Sequence, residues 1–165
     1  PDLPYGLVAS TILSAEAAAT HEGLVLDGSV SEMTAPEDRY QIYGDFVITA
    51  TDYLHACALR GRMQRALDEL LAGSDAILTP TRATVAGPID RPFAEWSRGF
   101  SSTSLGGAAN VCGLPSISVP NGFDAEGLPS GLELTGRAFG EARLLALAAL
   151  YQQQTDWHAQ HPVIP

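Results

Sequence analysis

The sequence contains no lysine. All nine basic residues are arginine, at positions 39, 60, 62, 65, 82, 91, 98, 137 and 143. Chemistry that needs a lysine amine, as a Schiff base or as a proton relay, is therefore excluded from these 165 residues. Cysteine is scarce as well. Cys57 and Cys112 form neither a metal-ligand spacing nor a disulfide framework, and free cysteines of this kind are usually buried and reduced. That usage points to a cytoplasmic protein. No apolar run approaches the roughly 20 residues that cross a bilayer. The opening "PDLPYGL" lacks the basic-then-apolar pattern of a secretory leader.

What is present fits a soluble globular protein. Hydrophobic residues make up 45% and charged residues 17%, enough for one domain with a core. The net charge of −10 repels phosphate backbones and anionic lipid, which excludes nucleic acid and membrane as direct partners. A chain that runs from Pro1 to Pro165 without an initiator methionine reads as a piece of something longer.

The alanine-rich "STILSAEAAATHEG" predicts a helix ending at Gly23, followed by a polar loop from Asp27 to Asp38. Thr49 and Asp52 form a capping-box start for a long helix that Gly73 closes. Its apolar positions are Tyr53, Leu54, Cys57, Ala58, Leu67, Leu70 and Leu71. "DAILTP" reads as a buried strand, and residues 81–100 as a long loop. "SISVP" and "GLELTG" read as two strands joined by a hairpin connection. In the last helix Leu144, Leu147, Ala148 and Tyr151 share one face. Helices alternating with short strands indicate an α/β sheet, yet three strands are few for a chain this long. An incomplete sheet is the expectation.

One stretch looks catalytic: "SSTSLGGAANVCGLPSISVPNG", from Ser101 to Gly122. A serine nucleophile needs a base within hydrogen-bond reach and a group to orient that base. The four histidines, His21, His55, His158 and His161, each read as ordinary helix or tail residues. The G-x-S-x-G elbow is absent, as are H-E-x-x-H, the P-loop and G-x-G-x-x-G. The stretch therefore reads as a loop whose hydroxyls line a pocket. Its Gly and Pro residues punctuate a strand, and the Asn110 amide is placed to tie the loop to the next turn.

The order of the segments carries more than any one of them. Asp75, Leu78, Thr79, Pro80 and Thr81 are followed by Asn110, Gly113, Pro115, Ser118, Val119, Pro120 and Gly122. Then come Gly127, Leu128, Pro129, Gly131, Gly136, Glu141, Leu144 and Leu145, with Gly44, Asp52, Tyr53, Ala56 and Arg60 upstream. This series closely resembles the C-terminal part of the amidase signature family, over nearly the whole chain. The resemblance implies an α/β fold, a mixed sheet core flanked by helices and incomplete in this chain. Residues 1–165 would then be the C-terminal segment of a single domain.

The resemblance further implies hydrolysis of amide-type C–N bonds by a serine, with a second serine in a cis peptide and a lysine as relay. Those residues belong to an N-terminal portion that this chain does not contain, and the missing lysine agrees. No catalytic residue, metal or cofactor is expected here. The partners implied are that N-terminal portion and a small-molecule amide, with a homo-oligomer left open. By the same resemblance, Thr103, Ser104, Gly106, Gly107 and Ala109 face the substrate, and Asn110 joins them as a binding residue. Many members carry a larger residue where Gly106 stands, so the glycine pair would widen the pocket for a bulky group. Arg39 lies near where some members bind a carboxylate. Asn121 and Glu133 replace the Cys and Gln common in transamidosome-type A subunits, which favours a stand-alone amidase. The alternatives are a non-catalytic module derived from the fold, or an A-subunit-like part of a tRNA-dependent amidotransferase.

Overall fold

The computed structural model describes residues 2–92, 95 and 106–161. The chain divides into two compact units, Pro1–Gln64 and Arg65–Pro165.

The first unit is helical. Helix α1 spans Tyr5–Leu26 and buries Val8, Ile12 and Ala18. It does not stop at Gly23. That residue's carbonyl instead accepts the Asp27 amide, and the chain turns at Gly28, whose φ of +82° only glycine adopts without strain. The segment expected as loop is partly ordered. A 3-10 turn at Ser29–Glu32 buries Val30, and helix α2, Asp38–Asp45, buries Ile42. Both pack on α1. Sequence periodicity does not reveal α2, because eight residues with a single buried position show no repeat.

Helix α3, Ala50–Leu70, starts as expected. Thr49 Oγ1 accepts the Asp52 amide at 3.1 Å, and the Asp52 carboxylate accepts the Thr49 amide at 3.4 Å and the Thr49 hydroxyl at 2.6 Å. This is the reciprocal capping arrangement. Leu67 and, just past the helix, Leu71 are enclosed as expected, but so are Ala56 and Met63, whereas Leu54 and Leu70 face outward. Spacings of seven, four and four define one stripe.

The second unit holds a three-stranded sheet in the order β1-β3-β2, with β1 Ile77–Pro80, β2 Ser116–Phe123 and β3 Pro129–Thr135. Every described pairing is antiparallel. The strand expected to be buried, β1, lies at the edge, and its Leu78 is 59% exposed. The hairpin from β2 to β3 is built by Asp124. Its Oδ1 accepts the amides of Glu126 and Leu128, and Gly127 takes a φ of +80°.

Alternation gives the sheet two unlike faces. Ile117, Val119, Leu132 and Leu134 face helix α5, Glu141–Gln154, and pack with Leu144, Leu147, Ala148 and Tyr151. The predicted helical face is thus the one that is buried. Gly136 lies so close to this helix that a Cβ there would stand 3.0 Å from Leu144 Cγ. The opposite face carries Thr79, Ser116, Ser118, Glu133 and Thr135 in register. Two surface ion pairs brace the unit, Arg137 to Asp68 and Arg143 to Asp75, each at 2.7 Å.

Candidate functional site

The serine-rich stretch is only partly described. Residues 101–105, which include the expected site residues Thr103 and Ser104, lie outside the described residues. From Gly106 onward the chain is not loop but a short helix, α4, Gly106–Cys112. Ala108, Ala109 and Cys112 are buried, which fixes the helix by its small-residue face. Gly113 at φ +68° ends it, and its amide bonds the Asn110 carbonyl. The tie between loop and turn therefore runs through the backbone of Asn110, whose side chain is exposed. At Gly107 the backbone is helical, and a Cβ would meet nothing within 4 Å. Glycine is not required there by conformation or by crowding among the described residues.

Arg39 belongs to the first unit, and the α4 residues to the second. In α2, the Arg39 Nε donates to the Met33 carbonyl at 2.7 Å, which holds the half-buried guanidinium against its own loop.

The second unit contains a cavity bearing several hydroxyl groups that residue patterns alone do not single out. It has a volume of about 510 Å³ and sits where β1 runs into the following loop. Thr81, Arg82 and Val85 line it from that loop, Ser118 from β2, and Ser130 and Gly131 from β3. Thr81 Oγ1 and Ser118 Oγ lie 2.5 Å apart across Gly131. Below them Ser116 and Thr135 form a second hydroxyl pair at 2.8 Å, and Thr135 also donates to the Glu133 carboxylate at 3.4 Å. Thr81, Ser118 and Gly131 each belong to a different motif of the ordered series, and those motifs lie far apart in sequence. Only the sheet register brings them together.

Two other cavities are lined mainly by apolar groups. One, of about 400 Å³, includes Phe123, Trp157, His158 and His161, and the other, of about 300 Å³, includes Leu7, Ile48 and His55. Asp27 and Tyr53, both in the first unit, titrate away from their ordinary values. Hydrogen bonds from the Ser29 hydroxyl and amide hold Asp27 below the usual carboxylate range. The Tyr53 phenol is raised, first by its hydrogen bond with Cys57, then by the charges of Cys57 and Glu16. Among the described residues no three His, Cys, Asp or Glu side chains gather as a metal site. Nor is any described helix long and apolar enough to cross a membrane.

Comparison with known proteins places these features in context. A family model described as Amidase matches residues 25–145. The A subunit of the glutamyl-tRNA(Gln) amidotransferase of Legionella pneumophila (strain Paris) is 41% identical over 110 residues, covering 67% of this chain and 23% of its own length. Its counterpart from Roseiflexus sp. (strain RS-1) is 38% identical over 139 residues, covering 79% and 28%. The chain thus spans about a quarter of the curated relatives it matches. Among solved structures, one described as an amidase superposes with a TM-score of 0.75 at 25% identity, covering 88% of this chain and 34% of the other.

Proposed function

The chain belongs to the Amidase family, and on that premise we propose that it is the C-terminal segment of a hydrolase cleaving C–N bonds of small amides. One observation carries this reading: the ordered motifs of residues 75–145 fall inside the family match, and three of their residues meet at a single cavity. Residues 1–165 form part of one amidase domain, which works in the cytoplasm. The nucleophilic serine, its serine partner and the relay lysine come from the remainder of that domain. This chain contributes sheet and pocket wall. No lysine is available here to complete the relay.

In this reading the glycine pair Gly106 and Gly107 widens the acyl pocket, Thr103 and Ser104 face the substrate, and Asn110 borders it. Arg39 addresses a substrate carboxylate. The test is Gly106→Thr in the complete protein, assayed on paired large and small amides. The expected result is a loss of roughly tenfold or more in kcat/KM for the large amide alone, the scale at which pockets discriminate small groups. Unchanged preference defeats the pocket assignment.

A second reading is favoured by one observation, the 41% identity to the A-type component of an amidotransferase. It is separated from the first by assaying the complete protein purified without other subunits. Hydrolysis of simple amides supports the stand-alone enzyme, in line with Asn121 and Glu133. Activity that appears only with the other amidotransferase components added supports the second reading. A folded, complete protein inactive in both assays would be a non-catalytic derivative.

A further inference from the structure

Thr81, Ser118 and Gly131 do more than join strand ends. Thr81 follows β1, and Ser118 lies on β2, so their side chains can meet only by crossing the central strand β3. They do so because Gly131 has no side chain. A Cβ there would stand 2.6 Å from Thr81 Oγ1 and 2.9 Å from Ser118 Oγ, closer than atoms approach. The hydroxyl pair forms the floor of the 510 Å³ cavity, a volume on the scale of small-molecule sites.

The chemistry of that floor selects its ligand. When two hydroxyls bond each other, one hydrogen is used, leaving one O–H and several lone pairs for other partners. Donor and acceptor therefore stand side by side. A carboxamide matches this arrangement, since its C=O accepts and its N–H donates. A carboxylate could accept the free O–H but would turn its second oxygen toward the lone pairs, and an ammonium would leave the hydroxyl hydrogen unmatched. Ala83, Val85 and Pro129 give small apolar walls suited to a short carbon skeleton.

We propose that this cavity binds the carboxamide group of a small amide, with the Thr81–Ser118 hydroxyl pair over Gly131 as its recognition element. The assignment names a subsite for the amide-hydrolase reading and rests on it. The probe is 2-pyrrolidinone, a lactam that presents C=O and N–H on one edge; cyclopentanone lacks the N–H. Backbone amide resonances of the complete, isotope-labelled protein are followed during titration. Saturable shifts at Thr81, Ser118 and Gly131 are expected, with cyclopentanone binding about fivefold more weakly, the effect of one hydrogen bond. Ser118→Ala weakens the lactam by about the same factor, whereas Thr81→Ser, which keeps the hydroxyl, leaves it within about twofold.

Absence of saturable shifts at these residues overturns the proposal. So does an unaltered lactam affinity in a Ser118→Ala protein with a native spectrum, because a purely structural clamp predicts that result. If the complete protein hydrolyses no amide while the lactam still binds here, the subsite stands and the hydrolase reading falls.

Discussion

The Tyr151 hydroxyl donates a 2.5 Å hydrogen bond to Oδ1 of Asn121. Asn121 lies where the register between β2 and β3 breaks, between Pro120 and Phe123. The bond thus anchors the irregular end of β2 to helix α5. Tyr151→Phe is expected to lower stability by about 1 kcal/mol. Asn121→Cys, which exchanges the amide acceptor for a thiol, should cost a similar amount. The double variant should cost little more than either alone, as partners in one bond do in a mutant cycle. Chemical denaturation of the complete protein and the three variants measures this directly.

Gly136 is the point of closest approach between sheet and α5. A methyl group there would stand 3.0 Å from Leu144 Cδ2 and Cγ, and Leu144 is only 2% exposed. Gly136→Ala should therefore destabilise by roughly 1–3 kcal/mol, the cost of overpacking a filled core. Adding Leu144→Val, which removes a methylene from the same spot, should recover part of the loss. A thermal melt at least as high as that of the parent would show that the helix moves aside freely.

Gly107 predicts the opposite sign for stability. Its backbone is helical and its surroundings are open, so Gly107→Ala should stabilise by up to about 1 kcal/mol. If the glycine pair keeps the pocket wide, the same change lowers activity on bulky amides. Stability and kcat/KM are then expected to move in opposite directions, and each is measured on the one variant.

Thr49 starts α3 through its hydroxyl and the Asp52 carboxylate. Thr49→Ala should cost about 1 kcal/mol and Thr49→Ser much less, because serine keeps the capping oxygen. Hydrogen exchange localised to residues 50–55 distinguishes loss of the cap from a global effect.

Asp27 is exposed and held below the usual carboxylate range by Ser29. A depressed folded-state pKa means that its contribution is present above the ordinary aspartate range and is lost as pH falls through the lowered value. Ser29→Ala should return the Asp27 titration toward its ordinary position in a carboxylate-detected NMR titration. An unmoved titration would assign the depression to another cause.

Local chemistry is legible wherever one short segment contains all its partners. Thr49 with Asp52, the hairpin connection between β2 and β3, and the face Leu144–Leu147–Ala148–Tyr151 need only spacing along the chain. The first helix turns at Gly28 rather than Gly23, and sequence does not separate the two. Both are glycines that follow a polar residue, Glu22 and Asp27, and the backbone φ tells them apart. Helix α2 is too short to show a period. The edge position of β1 is equally silent in the sequence, since an apolar run does not state which strands flank it.

The motif order alone carries the family and the absence of a relay lysine, because both are properties of residue identity. The meeting of Thr81 and Ser118 over Gly131 is decided by tertiary structure. Those side chains are 37 residues apart, and antiparallel pairing of two outer strands to one central strand is what sets them 2.5 Å from each other. No spacing rule encodes that distance. It follows from strand register, and register follows from burying Val119 and Leu134 against α5, which leaves the alternate, hydroxyl-bearing residues on the other face.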